Sequence, residues 1–253
     1  MRSFLRPVGV RPRSYGKPGR PVQHWLAIMT LACFASIAGL LSATGAARAA
    51  DGPVRIVALG DSLSAGLGLS AGDALPAKLE KALKAKGLKV TIENAGVSGD
   101  TVSGGLGRLD WSVPEGTDAV IVELGANDAL RGGDPEVTRA ALEAIIRRLK
   151  ERHIAVLLVG MLAPRNLGPD YVKAFDPIYP ELAKTHDLIL YPFILDGVAG
   201  DRALNQADGL HPTAAGVDII VSRMLPKVEE LVAQVLKVQI LKGRALKTQE
   251  LGP

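Results

Sequence analysis

The chain has 253 residues, with 30 Lys+Arg against 26 Asp+Glu and one cysteine, Cys33. Its formal charge of +4 belongs to one end: residues 1–50 hold seven of the basic residues and no acid, leaving 23 basic against 26 acidic residues, a net of −3. That balance excludes a nucleic-acid binder resting on bulk basicity, and a single cysteine excludes a disulfide framework.

In chain order, Arg2, Arg6, Arg11, Arg13, Lys17 and Arg20 precede an uncharged, mostly apolar run from Trp25 to Ala47, and Ala47-Arg48-Ala49 follows. A basic region, an apolar region and a small-x-small end predict a secretory signal over residues 1–50. The competing reading is an uncleaved membrane anchor at residues 25–47, since about twenty apolar residues span a bilayer. The small residues from Ser42 to Ala47 favour cleavage, and Thr30-Leu31-Ala32 is a poor approach to a lipidated Cys33. A periplasmic or secreted location is therefore expected for a cysteine-free domain over residues 51–240, followed by a tail over 241–253 with no clear partner. A domain of about 200 residues buries an ample core without staples, and a monomer with no nucleic-acid partner is expected.

Within that domain, Val54–Leu59, Leu88–Ile92, Ala119–Leu124, Ile154–Val159 and Leu188–Tyr191 are short apolar runs of the kind found in strands covered on both faces. Between them lie helical patterns. Asp73–Lys86 aligns Leu75, Leu79, Ala82 and Leu83; Pro135–Arg152 starts after an Asp134 cap and aligns Val137, Ala141, Leu142, Ile145 and Leu149. Tyr171–Thr185 is a weaker helix interrupted by Pro177 and Pro180, and a long amphipathic helix runs from Thr213 to about Val238. Strands alternating with helices predict an open α/β fold with a five-stranded parallel sheet. Ligands in such folds bind beyond the carboxyl ends of the strands.

The segments at those ends carry the chemistry. Gly60-Asp61-Ser62-Leu63 follows the first strand, Asn94 to Thr101 the second and Gly125-Ala126-Asn127-Asp128 the third; Asp208-Gly209-Leu210-His211 precedes the last helix. A serine hydroxyl needs a neighbouring base. His211 is the candidate base for Ser62, and Asp208 the group that holds the other ring nitrogen. The N–H groups of Ser62 and Gly99 and the side-chain amide of Asn127 are candidate oxyanion donors. Taken singly, each block has a plainer reading as a turn or a helix cap; their joint occurrence at four strand-end loops points to catalysis. His153 and His186 sit at helix ends and receive no chemistry.

The four blocks resemble the SGNH/GDSL hydrolase superfamily: Gly60-Asp61-Ser62-Leu63-Ser64, Ser98-Gly99-Asp100-Thr101, Gly125-Ala126-Asn127-Asp128 and Asp208-Gly209-Leu210-His211-Pro212 match its Ser, Gly, Asn and His segments. Longer stretches, including Leu130-Arg131-Gly132 and Ile178–Lys184, are similar to its bacterial acyl-CoA thioesterase/lysophospholipase/arylesterase branch, over about residues 54–235. The resemblance implies a flavodoxin-like three-layer α/β/α sandwich and an ester or thioester hydrolase that needs no cofactor or metal. It implies Ser62 as nucleophile, Asp208 and His211 as its partners, and Ser62, Gly99 and Asn127 at the oxyanion. It also implies substrate contacts from Leu63, Asp128, Met161 and Leu162, and small acyl esters, thioesters or lysophospholipids as substrates. Ala126 stands where relatives tend to have Gly.

Two rival readings compete with this one. Gly66-x-Gly68-x-x-Ala71 followed by Glu93 has the outline of a dinucleotide fingerprint, but six residues separate it from the strand. A non-catalytic periplasmic lipid- or carbohydrate-binding protein on the same fold would have no use for Ser62, Asp208 and His211 together.

Overall fold

The computed structural model describes residues 52–250, with side chains through Lys242. The export segment read at residues 1–50, including Cys33 and Ala47-Arg48-Ala49, lies outside the described residues. Five strands form one parallel sheet in the order β2-β1-β3-β4-β5: β1 (Val54–Gly60), β2 (Val90–Gly96), β3 (Ala119–Glu123), β4 (Ala155–Val159) and β5 (Ile189–Tyr191). The central strands are apolar on both sides because helices cover both faces; every residue of β3 is buried.

Two helices lie on one face. α2 (Leu75–Ala85) turns Leu75, Leu79 and Leu83 inward. α9 (Ala214–Glu250) buries Val217, Ile220, Met224, Val228, Leu231 and Val235 at helical spacing and packs against α2. The opposite face is covered by α3 (Val102–Gly107), α6 (Pro135–Glu151) and α8 (Ile178–His186), giving the three-layer sandwich. Short helices fill the strand-end loops: α1 (Ser62–Ala65), α4 (Leu109–Ser112), α5 (Ala126–Leu130) and α7 (Pro169–Phe175). Among the described residues, no helix is long and apolar enough to cross a membrane.

Several boundaries differ from the sequence expectation, each for a local reason. β2 starts at Val90 rather than Leu88, because the Leu88 N–H is spent on the Leu83 carbonyl, closing the end of α2. It then continues through Asn94–Gly96, since β1 offers pairing partners as far as Gly60. The predicted helix over Tyr171–Thr185 is two helices separated at Asp176–Pro177, while Pro180 is tolerated in the first turn of α8. Val137, assigned to the inner face of α6, is 54% exposed. Thr138 is buried in its place, its hydroxyl donating to Asp128 Oδ1 and to the Asp134 carbonyl. The last helix runs to Glu250 instead of ending near Val238.

The chain moves from β1 outward to β2, then crosses back to β3 on the other side of β1, so the order reverses between β1 and β3. A crevice opens at such a reversal. The register places Gly60 opposite both Gly96 and Glu123, so the three following loops leave the sheet at one level. Glycine at 96 permits α1 to sit directly on the end of β2: a Cβ there would lie 2.4 Å from the Ala65 backbone nitrogen.

Candidate active site

Ser62 opens α1. The Asp61 carboxylate accepts the Leu63 N–H at 2.9 Å, and Gly66, at φ 77°, closes the turn with its N–H on the Ser62 carbonyl. The hydroxyl is thereby fixed at the mouth of the crevice. His211 arrives on a loop that doubles back on itself. Asn205 bridges Pro212, and the Gln206 N–H donates to the His211 carbonyl at 2.7 Å. The Gln206 side-chain amide donates to the Leu67 carbonyl at 2.7 Å and to the Pro212 carbonyl at 2.9 Å, tying the histidine loop to the serine loop.

Asp208 Oδ1 accepts the backbone N–H groups of Leu210 and His211, and Oδ2 lies 2.6 Å from His211 Nδ1. A carboxylate on Nδ1 selects the tautomer that leaves Nε2 as an acceptor. Nε2 is 2.9 Å from Ser62 Oγ. The bond to His211 and the two backbone donors pull the Asp208 carboxyl down to about 2, so it remains ionised. Ser62, His211 and Asp208, predicted to act together, stand in a serine–histidine–aspartate relay geometry.

The three residues expected to supply oxyanion donors, Ser62, Gly99 and Asn127, line one cavity. Among the described residues, neither the Ser62 nor the Gly99 N–H has a protein acceptor. Gly99 sits at φ +82°, with its carbonyl held by Arg131 Nη2 at 3.1 Å. The Asn127 amide donates to the Asp100 carbonyl at 2.9 Å and, over a longer 3.3 Å, to Asp61 Oδ2. The first bond fixes the amide, and the second is the weaker one that an incoming anion can displace.

Behind the serine lies a carboxyl pair that the sequence reading did not single out. Glu123 is 1% exposed and accepts from the Ser64 hydroxyl at 2.8 Å and, more weakly, from the Asp61 N–H. Burial, and then the charge of Asp61, push its carboxyl well above the usual range. Burial also raises Asp61 to about 6, against the opposing pull of the Leu63 N–H, the His211 charge and the Asn127 amide. The available signal was a lone acid closing Ala119–Glu123, a strand otherwise wholly apolar.

Arg108 was also missed. Its guanidinium, 10% exposed, bonds to Asp100 Oδ2, to the Ala95 and Gly60 carbonyls and to Ser112 Oγ. It thus clamps the ends of β1 and β2 to the loop that carries Gly99. It follows a glycine-rich stretch with no periodicity, which gave no hint of burial.

The site opens on a cavity of about 620 Å³ lined by Ser62, Leu63, Met161, Leu162, Phe193 and His211, among others. Leu63, Met161 and Leu162 therefore stand where substrate contact was expected. Asp128 does not. It is buried and outside the cavity lining, its carboxylate accepting the Val102 N–H at 3.0 Å and the Thr138 hydroxyl at 3.3 Å. Both carboxylate oxygens are thus engaged in holding α3 and α6.

Residues 58–219 match the model of the GDSL-like Lipase/Acylhydrolase family. The chain is similar to Esterase TesA of Pseudomonas aeruginosa, 37% identical over 70% of this chain and 88% of the relative. It is also similar to Thioesterase 1/protease 1/lysophospholipase L1 of Escherichia coli K12, 38% identical over 76% and 90%. Among solved structures, that of AlinE4, an SGNH-hydrolase family esterase, superposes with a TM-score of 0.61 at 46% identity, covering 71% of this chain and 97% of that one. The crystal structure of TesA superposes with a TM-score of 0.67 at 36% identity, covering 70% and 99%.

Proposed function

The chain belongs to the GDSL-like lipase/acylhydrolase family and is a serine ester hydrolase, and from that premise we propose that it is an exported enzyme cleaving apolar acyl esters or thioesters through an acyl-enzyme on Ser62. The observation that carries the reading is the unbroken line from Asp208 Oδ2 through His211 to Ser62 Oγ, 2.6 Å and 2.9 Å in its two links, at the edge of an apolar cavity.

In this reading, Ser62 Oγ attacks the acyl carbon as His211 Nε2 takes its proton. The carbonyl oxygen becomes an anion held by the N–H groups of Ser62 and Gly99 and by Asn127, each donor being worth about 3–4 kcal/mol in the transition state. The C–O or C–S bond then breaks, and the imidazolium hands its proton to the departing alcohol or thiol. Water enters, gives a proton to His211 and attacks the acyl carbon; the acid leaves and Ser62 recovers its hydrogen. The signal read at residues 1–50 supports export, which makes cytoplasmic CoA esters a poor match and favours lysophospholipids or small aryl and acyl esters.

A fluorophosphonate probe tests the centre. It should label the wild-type chain and leave Ser62→Ala unlabelled, with hydrolysis of p-nitrophenyl esters lost in step. Equal labelling of both proteins would remove Ser62 from the mechanism.

A further inference from the structure

Isolated exposed apolar side chains are ordinary on a protein surface; their placement here is not scattered. Leu67, Val97, Leu130, Leu167 and Leu210 are 37–50% exposed, and each belongs to a different loop at the carboxyl ends of the strands. Leu67, Leu130 and Leu210 line the same cavity as Ser62 and His211. Val97 lies two residues before Gly99, its N–H on the Gly60 carbonyl. Leu167 follows the cavity-lining Arg165, with its Cδ2 beside Gly132, two residues past Leu130.

Several charges on these loops are engaged locally, and Arg202 and Asp170, which have no ion-pair partner among the described residues, are of opposite sign. Arg165 pairs with Asp176 at 2.7 Å, Asp208 with His211 at 2.6 Å, and Arg131 bonds to the Gly99 carbonyl at 3.1 Å. The rim therefore presents apolar groups without a strong field of one sign. Such a surface suits a zwitterionic or uncharged lipid interface rather than an acidic one, which would call for unpaired cations.

We propose that these five side chains form a collar that seats the cavity mouth on the surface of a lipid aggregate. The apolar wall of the cavity continues the collar inward. An acyl chain leaving a micelle or bilayer then reaches Ser62 without exposing its methylenes to water, a transfer that would otherwise cost about 0.8 kcal/mol for each CH₂. The substrate half of this inference rests on the ester-hydrolase reading; the docking half does not.

Val97 and Leu167 lie outside the cavity lining and are exposed, so Val97→Ser/Leu167→Ser probes the collar without touching the machinery. The intact chain and this variant are compared on soluble p-nitrophenyl acetate and on a lysophosphatidylcholine below and above its micelle concentration. The expected result is an unchanged rate on the soluble ester and at least about a tenfold loss on micelles, from the apolar area no longer removed from water. A variant that keeps the micellar rate, or a wild type with no preference for micelles, overturns the collar while leaving the hydrolase intact.

Flotation with phosphatidylcholine vesicles is the second measurement, made in the Ser62→Ala background so that it is independent of turnover. Loss of co-flotation on adding the two collar substitutions supports the docking surface. Undiminished co-flotation overturns it and assigns membrane contact to another segment, such as residues 25–47.

Discussion

Asp61 occupies a position where charge is costly, and the cost can be measured. Its carboxyl is fully buried and raised to about 6 from an ordinary 3.8. The native state thus holds the Asp61 proton more tightly than the unfolded chain does, and this group destabilises the fold as pH rises from about 3.8 to 6. The shift of about two pKa units corresponds to about 3 kcal/mol at 1.36 kcal/mol per unit, absent below the window and fully present above it. Asp61→Asn removes the titration. The new amide oxygen still accepts the Leu63 N–H, while its NH₂ faces the Asn127 amide, a penalty that does not vary with pH. Relief of Glu123 from its charged neighbour acts in the same direction, and the lowered carboxyl of Asp208, common to both proteins, cancels in their difference. Urea unfolding of wild type and variant between pH 4 and pH 7.5 should show their stability difference moving by about 3 kcal/mol in favour of the variant as pH rises. At an m-value of about 3 kcal/mol/M, that is a relative midpoint shift of about 1 M. Parallel pH profiles would refute the claim that Asp61 titrates in this window.

Three further outcomes follow from the same geometry. His211→Ala should lower kcat by about 10⁵-fold or more and Asp208→Asn by about 10⁴-fold, with KM little changed, as read from steady-state kinetics; an unaltered kcat in Asp208→Asn would remove that carboxylate from the relay. Arg108→Met should cost about 3 kcal/mol in denaturant unfolding, because it strands half-buried Asp100 and the carbonyls of Gly60 and Ala95 without partners. Leu162→Trp should narrow the cavity and lower kcat/KM for decanoyl relative to butyryl p-nitrophenyl esters by roughly tenfold or more; an unchanged chain-length profile would place the acyl chain elsewhere.

Much of the fold was legible because short-range chemistry dictates it. Runs such as Val54–Leu59 and Ala119–Leu124 are apolar on both parities, which only a strand covered on both faces requires. The spacing of Leu75, Leu79 and Leu83 fixes the inner face of α2 without reference to anything distant. Boundaries were less legible where a hydrogen-bond partner elsewhere in the fold decides, as with the Leu88 N–H drawn to Leu83 and the extension of β2 alongside Gly60.

The site divides in the same way. Ser62, Gly99, Asn127, Asp208 and His211 could be named from the sequence because each sits in a short motif at a strand end, and the order of the blocks carried the inference. That His211 Nε2 reaches Ser62 Oγ across 149 residues was settled only by folding. Asp128, adjacent to Asn127 in the same motif, points the other way, since a helical turn sends neighbouring side chains to different faces. Asp61, Glu123 and Arg108 gained their roles from burial and from partners far along the chain. The sequence by itself determined which groups the protein has for chemistry; tertiary structure decided which of them are desolvated, paired and aimed at one another. The physical reason is that the desolvation of a charge and its pairing with a distant partner depend on spatial neighbours, which no local pattern encodes.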